Sequence, residues 1–144
     1  MTRPFPTIHA CAIKLGDAGL LIRGPSGSGK SSLTLTLLAL AEAQGRYARL
    51  VADDRVGLSV AEGSLLAAPH PRIAGRIERR GMGILTLPHE PSVRLTHVID
   101  LIGGSMPNEE SAGRIVLEGV ELTHFRLPAS EAADTLARRL LPKI

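Results

Sequence analysis

The chain has 144 residues, a length suited to one domain over 1–144, and 44% of them are apolar, so it can bury a core and is not read as disordered. Its formal net charge of +3 suits an acidic ligand, but aromatics make up only 2%, too few to stack on bases, so no nucleic acid is expected as partner. The single cysteine, Cys11, excludes an internal disulfide and a cysteine-built metal cluster; no apolar run reaches membrane-spanning length and the N-terminus lacks a signal peptide's apolar region, so no membrane and a cytoplasmic setting are expected.

In chain order, Thr7 to Leu15 alternates and predicts a strand. Gly16 to Gly19 is a turn, and the apolar stretch through Arg23 a second strand, so the two form a hairpin or near-hairpin. The glycine-rich stretch from Gly24 to Ser31 follows. A helix from Lys30 to Ala43 places Leu33, Leu37, Leu40 and Ala41 on one face, with Leu35 and Leu38 over much of the remainder, and Gly45 stops it. Tyr47 to Ala52 is strand-like and runs into Asp53-Asp54-Arg55. Val56 to Val60 and Ser64 to Ala67 read as a strand pair about Glu62-Gly63. Arg72 to Gly83 is dense in arginine and glycine and reads as a mobile loop. Ile84 to Leu87 is a short strand, Val93 to Ile102 a longer one, and Met106 to Gly113 a polar loop. Arg114 to Leu127 holds two strands split by Gly119. Ser130 caps a last helix through Leu141, whose apolar edge is Leu136, Leu140 and Leu141. The result is an α/β domain with an unusually strand-built second half.

A strand, a glycine-rich loop and a helix in succession form a phosphate cradle. Gly24, Pro25, Ser26, Gly27, Ser28 and Gly29 would curl so that backbone N–H groups point inward, and the helix start at Lys30, Ser31 and Ser32 adds the positive end of its dipole. Lys30 would reach the β- and γ-phosphates of a nucleoside triphosphate, and the Ser31 hydroxyl would hold Mg²⁺. Asp53 and Asp54 stand at a strand end, where a carboxylate faces the ligand crevice of an α/β sheet. One could hold Mg²⁺ and the other accept a proton from an attacking hydroxyl; neighbours on an extended strand face opposite ways, so both need not enter the site. The segment with Arg72, Arg76, Glu78, Arg79 and Arg80 reads either as a loop closing on an anionic ligand or partner, or as a solvated basic surface. His9, alone on the first strand, is either structural or placed beside the phosphates.

These residues together resemble the catalytic domain of HPr kinase/phosphorylase, a family that phosphorylates a serine of the phosphocarrier HPr. His9 stands in the family's relation to the phosphate loop. Leu50-Val51-Ala52-Asp53-Asp54-Arg55-Val56 is similar to its acidic strand end, and Ile77-Glu78-Arg79-Arg80-Gly81-Met82-Gly83-Ile84 to its signature. The resemblance runs from residue 8 to about 87. It implies a strand-rich P-loop kinase fold shared with phosphoenolpyruvate carboxykinase, in a short form without the family's N-terminal domain. It implies that Asp53 is the proton acceptor and, in phosphorolysis, the donor. Lys30 and His9 act at the phosphates, Ser31, Asp54 and Glu78 support Mg²⁺, and Arg76, Arg79, Arg80 and Gly81 meet an HPr-like phosphocarrier. Self-association into a homo-oligomer is also implied. Ser32 stands where an acidic residue is common, and Met106 to Gly113 departs from the family's Glu-Arg-Leu stretch. The alternative is a non-catalytic, nucleotide-gated regulatory module that binds a partner protein. A small-molecule kinase is the weaker third reading, since the chain lacks extra helices after the phosphate loop.

Overall fold

A computed structural model describes residues 7–70, 74–79, 83–104 and 112–144, the side chains of Glu78 and Arg79 excepted. The described strands are β1 (Thr7–Ile8), β2 (Ala10–Leu15), β3 (Ala18–Arg23), β4 (Ala48–Ala52), β5 (Val56–Ala61), β6 (Ser64–Pro69), β7 (Arg76–Arg79), β8 (Gly83–Thr86), β9 (Val93–Arg94), β10 (His97–Ile102), β11 (Gly113–Leu117) and β12 (Val120–Pro128). The helices are α1 (Lys30–Ala43) and α2 (Ala133–Leu140), the latter followed by a 3-10 turn, Leu141–Lys143.

The centre is a six-stranded mixed sheet in the order β11-β12-β10-β3-β2-β4. β3, β10 and β12 run parallel, while β2 pairs antiparallel with both β3 and β4. One face carries α1, α2 and the β7–β8 hairpin; its core joins Cys11, Ile13, Leu20, Ile22 and Leu50 to Leu33, Leu37, Ile77, Leu136 and Leu140. The other face carries a four-stranded sheet, β1-β5-β6-β9, through Ala10, Ala12, Leu21, Val98 and Leu122 against Val56, Leu65, Ala67 and Val93. Aliphatic side chains do most of this work, as the lack of aromatics requires. Burying each large one contributes about 1.5–3 kcal/mol before the entropy of ordering it is charged.

The hairpin of β2 and β3, the helix from Lys30, the strand pair about Glu62-Gly63 and the strands on either side of Gly119 stand where the sequence places them. Four expectations are corrected. The strand Thr7 to Leu15 breaks at His9, because β1 pairs with β5 of the small sheet and β2 with the large one. The stretch Val93 to Ile102 divides the same way: β9 joins β6, and β10 joins β3 and β12. Apolar periodicity reports burial, not which sheet a strand enters. The arginine-rich stretch is not wholly a loop, since Arg76–Arg79 pairs antiparallel with Gly83–Thr86 and Ile77 is fully buried. The last helix begins at Ala133, capped at Ala132 without a side-chain bond, so Ser130 does not cap it.

One irregularity bears on the site. Between β2 and β4 the register shifts: Ala12 opposes Ala52 but Ile13 opposes Leu50, so Val51 is the extra residue of a bulge. A bulge breaks the alternation of side chains. Leu50 faces the helices, whereas Val51 and Ala52 both belong to the core on the other face. The next residue, Asp53, is thereby returned to the helix side.

Candidate active site

β3 ends at Arg23 and delivers the chain to the glycine-rich loop. Gly24 has no room for a side chain: a Cβ there would lie 2.6 Å from Ser28 Oγ, 3.0 Å from Leu101 Cβ and 3.2 Å from the Leu101 carbonyl oxygen. Gly29 caps α1 with φ 96°, a left-handed conformation that glycine adopts without strain. The Ser28 N–H donates to the Pro25 carbonyl at 3.0 Å, closing the turn. Ser28 Oγ itself is buried and has no hydrogen-bond partner among the described residues. Lys30 is buried and lies back across the loop, its Nζ donating to the carbonyls of Gly24 at 2.7 Å and Pro25 at 3.2 Å. Thr34, a turn further along α1, donates to the Lys30 carbonyl at 2.8 Å.

Asp53 is 6% exposed and meets this helix start directly. The Ser31 hydroxyl donates to its Oδ1 at 2.8 Å, and the Cys11 thiol donates to the same oxygen at 3.2 Å. Burial first, and the neighbouring Asp53 charge second, push the Cys11 thiol up to about 12, so it stays protonated and can donate. Asp54 is placed quite differently. It sits at φ 65°, while the Arg55 N–H reaches across it to the Asp53 carbonyl at 2.7 Å. That tight turn throws its side chain outward, where it is 65% exposed and lies 3.7 Å from His9 Nδ1. Asp53 and Asp54 thus part company, and His9 accompanies Asp54. An exposed pair of this kind contributes little to stability.

Ser31, Lys30 and Asp53 are brought together; His9 and Asp54 form a second, solvent-facing pair. The residues Gly24, Pro25, Ser26, Gly27, Ser28 and Gly29 form the turn before α1, with Ser32 in its first turn. Arg76 is exposed on β7, and Ile84 on the paired strand β8 is 66% exposed. The backbone of Glu78 and Arg79 belongs to β7, while Arg80, Gly81 and residues 105–111 lie outside the described residues. Among the described residues no three histidine, cysteine or acidic side chains converge as a metal site. No helix among them is long and apolar enough to cross a membrane.

Three polar residues that the sequence reading passed over also gather near the loop. Asp100 on β10 accepts a fork from Arg23, Nε to Oδ1 at 2.8 Å and Nη2 to Oδ2 at 2.7 Å. His124 Nε2 donates to Oδ2 from β12, also at 2.7 Å. Burial disfavours the Asp100 charge, but Arg23 and His124 outweigh it and hold the carboxyl below its ordinary value. The available signal was Asp100 itself, a charge inside an otherwise apolar strand.

A strand-rich sheet with this loop and helix start defines a P-loop domain of the kinase type. The family model for the HPr serine kinase C-terminal domain matches residues 3–102, and the chain belongs to that family. It is 34% identical over 141 residues to an HPr kinase/phosphorylase of Streptococcus thermophilus, covering 85% of this chain and 42% of that protein. It is 29% identical over 144 residues to that of Mycoplasma mycoides, covering 88% and 43%. With that of Clostridium tetani it shares 36% over 85 residues, covering 59% and 26%. The chain therefore spans between a quarter and a half of the length of these curated relatives. Its fold is similar to the structure of the Hpr(Ser) kinase/phosphatase from Coxiella burnetii, with a TM-score of 0.77 at 22% identity over 96% of this chain and 95% of that one.

Proposed function

We propose that the chain is an ATP- and Mg²⁺-dependent protein-serine kinase acting on an HPr-like phosphocarrier, and that it also runs phosphorolysis. The observation that carries this reading is the buried Asp53 carboxylate held by the Ser31 hydroxyl at 2.8 Å, at the start of the phosphate-loop helix. The relatives named HPr kinase/phosphorylase support the substrate class.

The loop fits a triphosphate. Gly24 admits the close turn, α1 offers the positive end of its dipole, and the buried Ser28 hydroxyl, unpartnered among the described residues, and the Lys30 ammonium supply further donors. The donor set also fits Mg²⁺, which takes few protein oxygens and keeps several waters. Ser31 would hold it, with Asp54 and Glu78 in support; the ion would neutralise phosphate charge. Asp53 takes the proton of the carrier's seryl hydroxyl as that oxygen attacks the γ-phosphorus and the bond to ADP breaks. In reverse, an oxygen of inorganic phosphate attacks the phosphoserine phosphorus to form pyrophosphate as the bond to the seryl oxygen breaks, and Asp53 gives its proton to that departing oxygen. Lys30 and His9 act at the phosphates. Arg76, Arg79, Arg80 and Gly81 receive the carrier, together with Ile84, exposed on β8.

The test is incubation with ATP, Mg²⁺ and HPr-like proteins of the same host, read by mass spectrometry, with phosphate and phosphorylated carrier in a second arm. One added phosphate on a carrier serine is expected, with pyrophosphate released in the second arm. A stable complex without added phosphate would overturn the kinase reading in favour of a nucleotide-gated regulatory module.

A further inference from the structure

The Arg23–Asp100–His124 network has no part in that chemistry, yet it stands at the root of the loop. Arg23 and Asp100 form the last pair of the parallel ladder between β3 and β10. The next residue on each side is in close approach too, since a Cβ on Gly24 would meet Leu101 at 3.0 Å. The Gly24 carbonyl then receives the Lys30 ammonium at 2.7 Å. A continuous chain of contacts thus runs from His124 through Asp100 and Arg23 to Gly24 and Lys30.

Stability alone is a weak reason for such a network. The Asp100 and His124 side chains are each 16% exposed and Arg23 is 29% exposed, so all three have lost much of their hydration. Apolar side chains of similar volume would hold three strands as well or better. A two-bond fork adds direction: it fixes both the distance and the plane of the guanidinium.

We propose that Asp100 is a positioning residue of the phosphate loop: it clamps Arg23, fixes the point at which Gly24 leaves the sheet, and so sets the carbonyl that orients Lys30, while His124 braces Asp100 from β12. The inference rests on the nucleotide-binding part of the reading above and not on phosphoryl transfer or the carrier.

The experiment is calorimetric titration of the full chain with ATP and Mg²⁺, and separately with inorganic tripolyphosphate, which has no base or sugar. Asp100→Asn is expected to bind both about tenfold more weakly at a temperature where circular dichroism shows it folded. Arg23→Lys keeps the charge but loses the fork, and is expected to show the same loss, which serves if Asp100→Asn does not fold. His124→Leu weakens both ligands in the same direction, and His124→Gln, which offers an amide N–H to Asp100, restores them. A merely structural network would lower the melting temperature and leave the affinity of the folded protein alone. Unchanged affinity in folded Asp100→Asn or Arg23→Lys overturns the proposal, as does weakening of ATP without weakening of tripolyphosphate. A chain that binds ATP normally but transfers nothing refutes the kinase reading instead.

Discussion

Asp53→Asn separates chemistry from architecture, because the Ser31 and Cys11 donors fall on one oxygen of Asp53. The Ser31 hydroxyl at 2.8 Å and the Cys11 thiol at 3.2 Å both reach Oδ1. An asparagine of the same shape can present its carbonyl oxygen there and keep both contacts. What changes is the other atom, an amide nitrogen that cannot take a proton. The two retained hydrogen bonds lose their ionic acceptor, at a cost of about 1 kcal/mol each. A domain typically has about 5–15 kcal/mol in hand, so the variant is expected to fold. A positioned general base contributes about 10²–10⁴-fold, or roughly 3–5 kcal/mol of barrier. Transfer of label from ATP to the carrier, under single turnover, should therefore fall by that factor while ATP affinity is retained. Transfer within tenfold of wild type would refute the base role. Loss of Mg²⁺-dependent ATP binding would move Asp53 from the proton to the metal.

Gly24→Ala puts a methyl 2.6 Å from Ser28 Oγ and 3.0 Å from Leu101 Cβ, so Ser28 and the loop around it must give way, and ATP affinity measured by titration should fall about tenfold. The Asp100 carboxyl titrates below its unfolded value, so its contacts stabilise the fold above the unfolded pKa and are lost as pH falls through the folded one. Thermal melts should accordingly show stability falling below about pH 4, with a shallower fall in Asp100→Asn, which starts lower near neutrality. Cys11 is fully buried and its thiol is pushed up to about 12, so iodoacetamide at about pH 8 should leave the native protein unmodified and label it promptly once unfolded. Fast labelling of the native state would contradict both the burial and the contact with Asp53.

Much of the fold was legible because its signals are local. Glycines mark the turns at Gly16, Gly63 and Gly119, although Ala18 and Gly19 already belong to β3, and the leucine spacing of residues 33 to 41 marks a buried helix. What failed was non-local. His9 and the residues between Arg94 and His97 divide continuous-looking strands because two sheets compete for them. Ser130 looks like a cap from its neighbours, but the chain stays irregular until Ala133. Arg23, Asp100 and His124 are far apart in sequence, and only the parallel alignment of three strands joins them.

The sequence by itself determined the glycine-rich loop from Gly24 to Ser31, because the strand, the glycines, the lysine and the helix are consecutive and each acts on its neighbour. It also determined that an acidic pair follows a buried strand. Which of Asp53 and Asp54 meets Ser31 at the start of α1 was decided only by tertiary structure. Alternation along β4 would have continued unbroken, but Val51 is squeezed out of the pairing with β2, and that one-residue bulge turns Asp53 toward Ser31 and Cys11. Asp54 is left in a tight turn facing solvent. The reason is physical: a bulge is a property of two paired strands, and neither strand's sequence contains it alone.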